Sequence, residues 1–260
     1  MKTRKKLRIA LAGSGNVATH LARAIYASEH QLVQILSRNT QEARALANRY
    51  GAEAIDNAQT LDPALDILIL ALSDDALHTD YISNFPEQIT ICHTSGSVSM
   101  EVLKQYPRHG IFYPLQTFSK QKEVDFSEIP ICLEANNPEV LQTLEQLAKN
   151  LSSRVYFLNS GQRKSLHLAA VFACNFTNLM YRIAEDLIGE SDMDFDILRP
   201  LITETAAKVQ EHLPGEVQTG PAARNDLKII NEHLKALEKH KDYKEIYQLL
   251  TEVIVRKRYI

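Results

Sequence analysis

Residues 7–20 read LRIALAGSGNVATH, and this stretch restricts the possible folds more than any other. Leu7, Ile9, Leu11 and Ala12 make a short apolar run with the length of one buried strand. The run breaks at Gly13-Ser14-Gly15-Asn16-Val17-Ala18 and continues through Ile25 in a helical pattern. Strand, glycine turn and helix, with Ala at the third small position, follow the order of a dinucleotide-binding βαβ unit. Gly13 serves the tight turn, Gly15 lets backbone approach a pyrophosphate, and Ala18 lets helix and strand pack closely. Ser14, Asn16 and Val17 sit on the same turn, where a helix start offers free N–H groups and partial positive charge to phosphate.

The next apolar run, residues 32–36, is a second strand that ends in Ser37-Arg38-Asn39. An NAD site places Asp or Glu there, about 20 residues after the glycines, to bind the ribose 2′-hydroxyl. This chain has a hydroxyl, a guanidinium and an amide instead. The planar fork of Arg38 suits a 2′-phosphate, so Ser37, Arg38 and Asn39 point to NADP as the cofactor.

Strands and helices alternate beyond this point. Residues 40–50 read as a helix with Thr40 as a candidate cap and Gly51 after its end. Residues 65–72 form a near-continuous apolar run, as a central parallel strand should. Ser73-Asp74-Asp75 would cap a helix through Tyr81. Ligands of doubly wound sheets sit at the carboxyl ends of the strands, which puts Leu72 and Ser73 beside the cofactor. Residues 89–92 and 110–113 are further strands, followed by the polar loops His93-Thr94-Ser95-Gly96-Ser97 and Pro114-Leu115-Gln116-Thr117. Residues 129–133 and 155–158 read as two more strands around a helix over residues 138–151. The fold class is α/β: a doubly wound, mostly parallel Rossmann sheet over residues 1–159, then an all-α domain over residues 160–260. The helices expected there span residues 162–188, 194–211, 226–240 and 243–255, with a loop at 216–225.

Composition narrows the function. The chain has 260 residues, 45% hydrophobic and 23% charged, enough for a sizeable core. A net charge of -3 gives no electrostatic footprint for nucleic acid. No run approaches the roughly 18 apolar residues of a membrane span. The basic start Lys2-Thr3-Arg4-Lys5-Lys6 reads as a solvated tail, since the apolar run after it is too short for a signal peptide. Cys92, Cys132 and Cys174 are an odd set, far apart in apolar sequence, and read as buried thiols of a cytoplasmic protein. The nine histidines lack ligand spacing, so no metal is expected.

The helix over residues 162–188 carries the candidate chemistry. Lys164, His167, Val171, Asn175, Asn178 and Arg182 fall together on one side of a helical wheel. The other positions are mostly apolar or small, which predicts a buried helix whose polar stripe needs a partner, such as a bound ligand. Hydride transfer to C=O or C=N leaves an oxyanion or amine that must be protonated. His167 can donate that proton, Lys164 can polarise the carbonyl or act as the acid, and His93 is a further candidate. Asn175, Asn178 and Ser95 can orient substrate through hydrogen bonds. In Gln218-Thr219-Gly220-Pro221-Ala222-Ala223-Arg224-Asn225-Asp226, Arg224 is available for a substrate carboxylate.

GSGNVATHLA, HTSGS, FYPLQTFSK, the helix from Lys164 to Asn178 and QTGPAARND together resemble a family of Rossmann-like proteins provisionally classed as NADP oxidoreductases. Their second half is a helical domain of unknown function. The family is similar to pyrroline-5-carboxylate reductase, deazaflavin-dependent NADP reductases and 6-phosphogluconate dehydrogenase-like enzymes. The resemblance implies a Rossmann domain, NADP, and a helical domain that dimerises. Relatives commonly have His-Pro where this chain has Tyr113-Pro114, and similar prephenate dehydrogenases use the histidine of a comparable motif in catalysis. Tyr113 keeps a hydrogen-bond donor there, and the acid role passes to His93 or His167. Lys164 and Asn175 resemble the catalytic Lys and following Asn of β-hydroxyacid dehydrogenases.

The expected function is reduction of a small carbonyl or imine acid by NADPH, bound between the two domains of a cytoplasmic homodimer. The alternative is an NADP(H)-binding regulatory or interaction protein without turnover. A deazaflavin as second substrate would require a large open cleft.

Overall fold

The computed structural model describes residues 5–257 and divides the chain into two compact units, Met1–Cys174 and Asn175–Ile260. The division falls later than the change from strands to helices at 159/160. Residues 2–4 of the basic start lie outside the described residues.

The first unit is built on an eight-stranded sheet. Its strands are β1 (Arg8–Ala12), β2 (Gln31–Leu36), β3 (Glu53–Ile55), β4 (Ile67–Leu70), β5 (Thr90–His93), β6 (His109–Pro114), β7 (Ile131–Ala135) and β8 (Val155–Phe157). They lie in the order β3-β2-β1-β4-β5-β6-β7-β8. All neighbours are parallel except β6 and β7, which pair antiparallel with Tyr113 opposite Cys132. β3 is too short for its alternation to show in the sequence.

Side chains alternate along β1 and β4, and the two resulting faces bury different partners. Ile9, Leu11, Ile67 and Ile69 meet α1 (Asn16–Ala27), α2 (Thr40–Tyr50) and α3 (Pro138–Leu151) through Leu21, Ile25, Leu46 and Leu144. Ala10, Ala12, Leu68 and Leu70 meet Leu77, Ile82, Leu103 and Tyr106. Burying one such leucine or isoleucine contributes about 1.5–3 kcal/mol.

The elements on the second face correct the helix expected through Tyr81. Residues 75–82 form two 3-10 turns, Asp75–His78 and Asp80–Ile82. The Thr79 hydroxyl donates to the Ala76 carbonyl and accepts from the Tyr81 amide, local bonds that compete with a continuous helix. Asp74 makes no cap bond; its carboxylate accepts from the Ser97 hydroxyl. The cap of α2 is likewise Asn39, through the Glu42 amide, and not Thr40.

α4 (Ser160–Ala170) starts with a reciprocal capping box between Asn159 and Gln162. A π-helical segment, Val171–Phe176, and α5 (Thr177–Gly189) follow. α5 ends on Gly189, one residue beyond the expected bound. In the second unit, Asp194 caps the 3-10 turn Phe195–Leu198 that leads into α6 (Arg199–Glu211). The stretch expected as a loop holds the short α7 (Pro221–Arg224). Asp226 caps α8 (Leu227–Ala236), the 3-10 turn Leu237–Lys239 follows, and α9 (Lys241–Lys257) completes the described chain. Tyr243 donates to Asp186 at 2.6 Å and ties α9 to α5.

Two expectations of burial need correction. The helical run from residue 162 is not buried: Leu168 and Phe172 are 60% and 62% exposed, and Phe176 and Leu179 are exposed as well. An apolar pattern identifies surface that should be covered without specifying which chain covers it. Cys92 and Cys132 are buried thiols, but Cys174 is exposed beside that apolar face. Among the described residues no helix is long and apolar enough to cross a membrane, and no cluster of His, Cys, Asp or Glu could hold a metal ion.

Candidate active site

The glycine turn leaves β1 with Gly13 at φ 116°, in the region that side chains rarely adopt. The Gly13 amide donates to the Leu36 carbonyl at 2.8 Å, tying the turn to the end of β2. A Cβ on Gly13 would lie 2.3 Å from the Ala71 carbonyl oxygen and 3.6 Å from a Leu72 methyl, so Leu72 borders the turn. At Gly15, by contrast, an added Cβ meets nothing within 4 Å. Gly15 is the N-cap of α1 without a side-chain cap, and the first turn of α1 has no acid. The helix start thus lacks a side-chain cap and an acid, an arrangement suited to a pyrophosphate.

Ser14 and Ser37 join hydroxyls at 3.1 Å, bringing the end of β2 against the glycine turn. The Ser37 hydroxyl also accepts from the Asn39 amide. Arg38 is exposed, with its guanidinium 5.4 Å from the ring centre of Tyr81, a neighbour that sequence reasoning missed. Asn16 and Ser73 are exposed, and Val17 is half-buried. The Asn39 side-chain oxygen is taken by its cap bond. These residues fit NADP: an uncapped helix start for the pyrophosphate, then hydroxyls and an exposed guanidinium at the end of β2, suited to a 2′-phosphate.

A second group forms at the carboxyl ends of β5 and β6. The Tyr113 hydroxyl and His167 Nδ1 are 3.3 Å apart, with the rings edge to face. Gly96 makes this approach possible, since a Cβ there would lie 2.5 Å from His167 Nδ1 and 2.8 Å from Tyr113 Cζ. Burial raises the Tyr113 phenol above its ordinary value, so it stays protonated and able to donate. Lys164, one helical turn before His167, is exposed.

Arg163, which sequence reasoning missed, holds this group together at 1% exposure. Its guanidinium donates to the Ser95 carbonyl at 3.1 Å and the Gly96 carbonyl at 3.0 Å, and pairs with Glu134 at 3.4 Å. The arginine therefore clamps the glycine-containing loop to α4. Its only sequence signal is a cation directly before Lys164 at the start of a helix.

His93 lies inside the same loop, fully buried. The Ser95 amide donates to its Nδ1 at 3.2 Å, and Nε2 faces the Ser99 carbonyl at 3.4 Å. Burial, aided by the Arg163 charge, lowers its pKa to about 4. Both nitrogens are thus engaged in shaping the loop. Ser95 is also turned inward: its hydroxyl meets Ser97 Oγ and accepts from the Ser97 and Val98 amides.

On the same sheet face, Cys132 stands opposite Tyr113 and floors an apolar hollow of about 350 Å³. Leu115, Pro130, Tyr156, Leu158 and Leu166 also line it.

The remaining residues fall in the second unit. Asn175 is exposed in the π-helical segment, Asn178 is exposed on α5, and Arg224 is exposed as the last residue of α7. The π segment also corrects the polar stripe. A wheel at 3.6 residues per turn does not hold across Val171–Phe176, so Lys164 and His167 do not share one α-helical arc with Asn178 and Arg182.

Residues 7–90 match a family described as an oxidoreductase family with an NAD-binding Rossmann fold. Residues 129–254 match a domain of unknown function, DUF2520. A protein from Bacteroides fragilis provisionally named an NADP oxidoreductase is 43% identical, with a TM-score of 0.90 over 96% of this chain and 98% of that one. An imine reductase from Myxococcus stipitatus in complex with NADP+ is similar at 14% identity and a TM-score of 0.67, covering 95% of this chain and 92% of that one. A 1-pyrroline-5-carboxylate reductase from Streptococcus pyogenes is similar at 12% identity and a TM-score of 0.65, covering 98% and 99%. At these identities the two reductases establish a shared fold. No curated protein matches the chain.

Proposed function

The chain belongs to the Rossmann-fold oxidoreductase family that carries a C-terminal DUF2520 domain, and on that premise we propose that it uses NADPH to reduce a small carbonyl or imine acid. The observation that carries this reading is the placement of Tyr113 and His167. A proton-bearing pair stands at the same edge of the sheet as an uncapped glycine turn.

Gly13, Ser14, Gly15, Asn16 and Val17 would hold the pyrophosphate through backbone N–H groups. Ser37, Arg38 and Asn39 would hold the 2′-phosphate, with Leu72 and Ser73 bordering the cofactor. NADPH supplies the hydride when bound. The proton comes from His167: as an imidazolium it releases the Nε2 proton to the oxygen or nitrogen that gains the electron pair. Neutral imidazole remains, with Nδ1 held against the Tyr113 hydroxyl. Lys164 supports the developing charge from the preceding helical turn. His93 and Ser95 act as positioning residues, because their polar atoms already shape the loop that seats His167. The apolar hollow beside Tyr113 takes the carbon skeleton of the substrate. Asn175, Asn178 and Arg224 are proposed to contact substrate, Arg224 through a carboxylate.

The exposed Leu168, Phe172, Phe176 and Leu179 support a homodimer in which a second copy covers that face. A monomer in sedimentation at micromolar concentration overturns this part. The buried thiols of Cys92 and Cys132 support a cytoplasmic setting.

Calorimetric titration with NADPH and NADH, on the wild type and Arg38→Ala, tests the cofactor. Tight NADPH binding that weakens in the variant is expected; binding of neither nucleotide overturns the reading. NADPH oxidation against a panel of keto acids and cyclic imine acids tests the reaction. Binding without turnover by any member would favour the non-catalytic regulator instead.

A further inference from the structure

The residues that follow β6 do not leave the sheet edge. They run as a strap over the middle of α1 and the first turn of α2, pinned at three places. His20 on α1 bonds the Ser119 carbonyl through Nε2 at 2.9 Å and packs on Phe118 with ring centres 4.8 Å apart. Arg23 pairs with Glu123 at 2.8 Å. Between these anchors, Lys120 reaches Glu42 in the first turn of α2 at 2.6 Å.

Glu42 is the acid that the Ser37-Arg38-Asn39 segment lacks. Asn39 caps α2 through the Glu42 amide, which fixes this residue beside the segment that reads the 2′-group. Its carboxyl is held below the usual range, first by the Lys120 ammonium and also by the Ser14 hydroxyl, which in turn touches Ser37. A carboxylate within reach of the 2′-group would accept from a ribose 2′-hydroxyl and repel a 2′-phosphate.

We propose that Lys120, from the strap, determines cofactor choice by neutralising Glu42 and presenting its own ammonium to the 2′-phosphate of NADP(H). This rests on the reading of the glycine turn as an NADP site. Arg38 supplies one cation; Lys120 removes the opposing charge that would otherwise favour NADH. A point charge with three donors suits this double task, because one N–H can hold Glu42 while the others face a phosphate oxygen.

Calorimetric titration of NADPH and NADH against wild type, Lys120→Met, Glu42→Gln and the double variant tests the proposal, with thermal melts to confirm folding. The ratio of NADPH to NADH affinity falls about tenfold or more in Lys120→Met, the loss of one charge-assisted contact. Glu42→Gln keeps or raises the ratio, and adding it to Lys120→Met recovers the part of the loss that comes from the uncovered Glu42 charge. A parallel loss of both nucleotides in Lys120→Met, with the ratio unchanged, means that the strap only stiffens the site and overturns the proposal. Failure of the wild type to bind either nucleotide overturns the NADP reading itself, a result distinct from an unchanged ratio.

Discussion

The Tyr113 hydroxyl lies 3.3 Å from His167 Nδ1, joining the end of β6 to the second turn of α4. One ring nitrogen of the histidine is thereby held by the protein, and in the proposed reaction the other serves the substrate. His167→Ala is expected to lower kcat/KM by roughly 10²–10⁴-fold, the range for loss of a general acid, while NADPH affinity in calorimetry stays unchanged. Tyr113→Phe removes only the orienting bond and costs about tenfold in kcat. Equal activity of both variants and wild type would remove this pair from the mechanism.

Gly96 is expected to tolerate no side chain. A Cβ there would enter the space of the His167 imidazole and the Tyr113 ring, and Arg163 keeps the loop from backing away. Gly96→Ala should cost about 1–3 kcal/mol of stability in urea unfolding and a much larger share of activity. Full activity with an unchanged unfolding midpoint would show that the loop yields.

The two glycines of the turn should respond differently. Gly13→Ala meets both a positive φ and the Ala71 carbonyl, so a loss of about 2 kcal/mol or more is expected. Gly15→Ala has room, so the melting temperature should barely move while NADPH binding weakens at the open helix start. Comparable melting temperatures for the two variants would contradict this assignment of roles.

Replacing Arg163 with leucine should destabilise the first unit by about 2–4 kcal/mol. It leaves two buried loop carbonyls without their donor and Glu134 with only its Ser160 bond. Chemical denaturation measures this directly, and a change under 1 kcal/mol would mean that the clamp is dispensable.

The buried His93 gives stability a defined acid limb. Its pKa is about 4 in the folded chain against 6.5 for the free side chain, so the unfolded chain binds more protons in that window. Its contribution is fully present above pH 6.5 and is lost as pH falls towards 4, about 2 kcal/mol of it by pH 5. Urea unfolding at pH 7 and pH 5 should show a smaller difference in His93→Gln than in wild type.

The parts legible in the sequence are those whose determinants are local. Gly13 and Gly15 sit within one turn, and the runs ending at Leu36 and Leu72 are contiguous, so strand, turn and helix follow from neighbours along the chain. Arg163 was hidden because its partners, Ser95, Gly96 and Glu134, come from distant segments and because charged residues are seldom fully buried. Lys120 and Glu42 are 78 residues apart, and nothing in either neighbourhood announces the other. The polar stripe from Lys164 to Arg182 failed for another reason: periodicity assumes a constant pitch, and the π segment changes it.

The reversed direction of β7 has an effect beyond the sheet. Parallel neighbours require a crossover that carries the chain back along a face, whereas a reversed neighbour can start at the edge where the previous strand stopped. Residues 115–130 are thus spared from service as a crossover and lie against α1 and α2, anchored in the core by Phe126 and Ile129. Its exposed stretch, residues 119–123, belongs to no strand and sets no register. If Lys120 acts as proposed, coenzyme preference can drift by edits to that exposed stretch while the strands stay untouched.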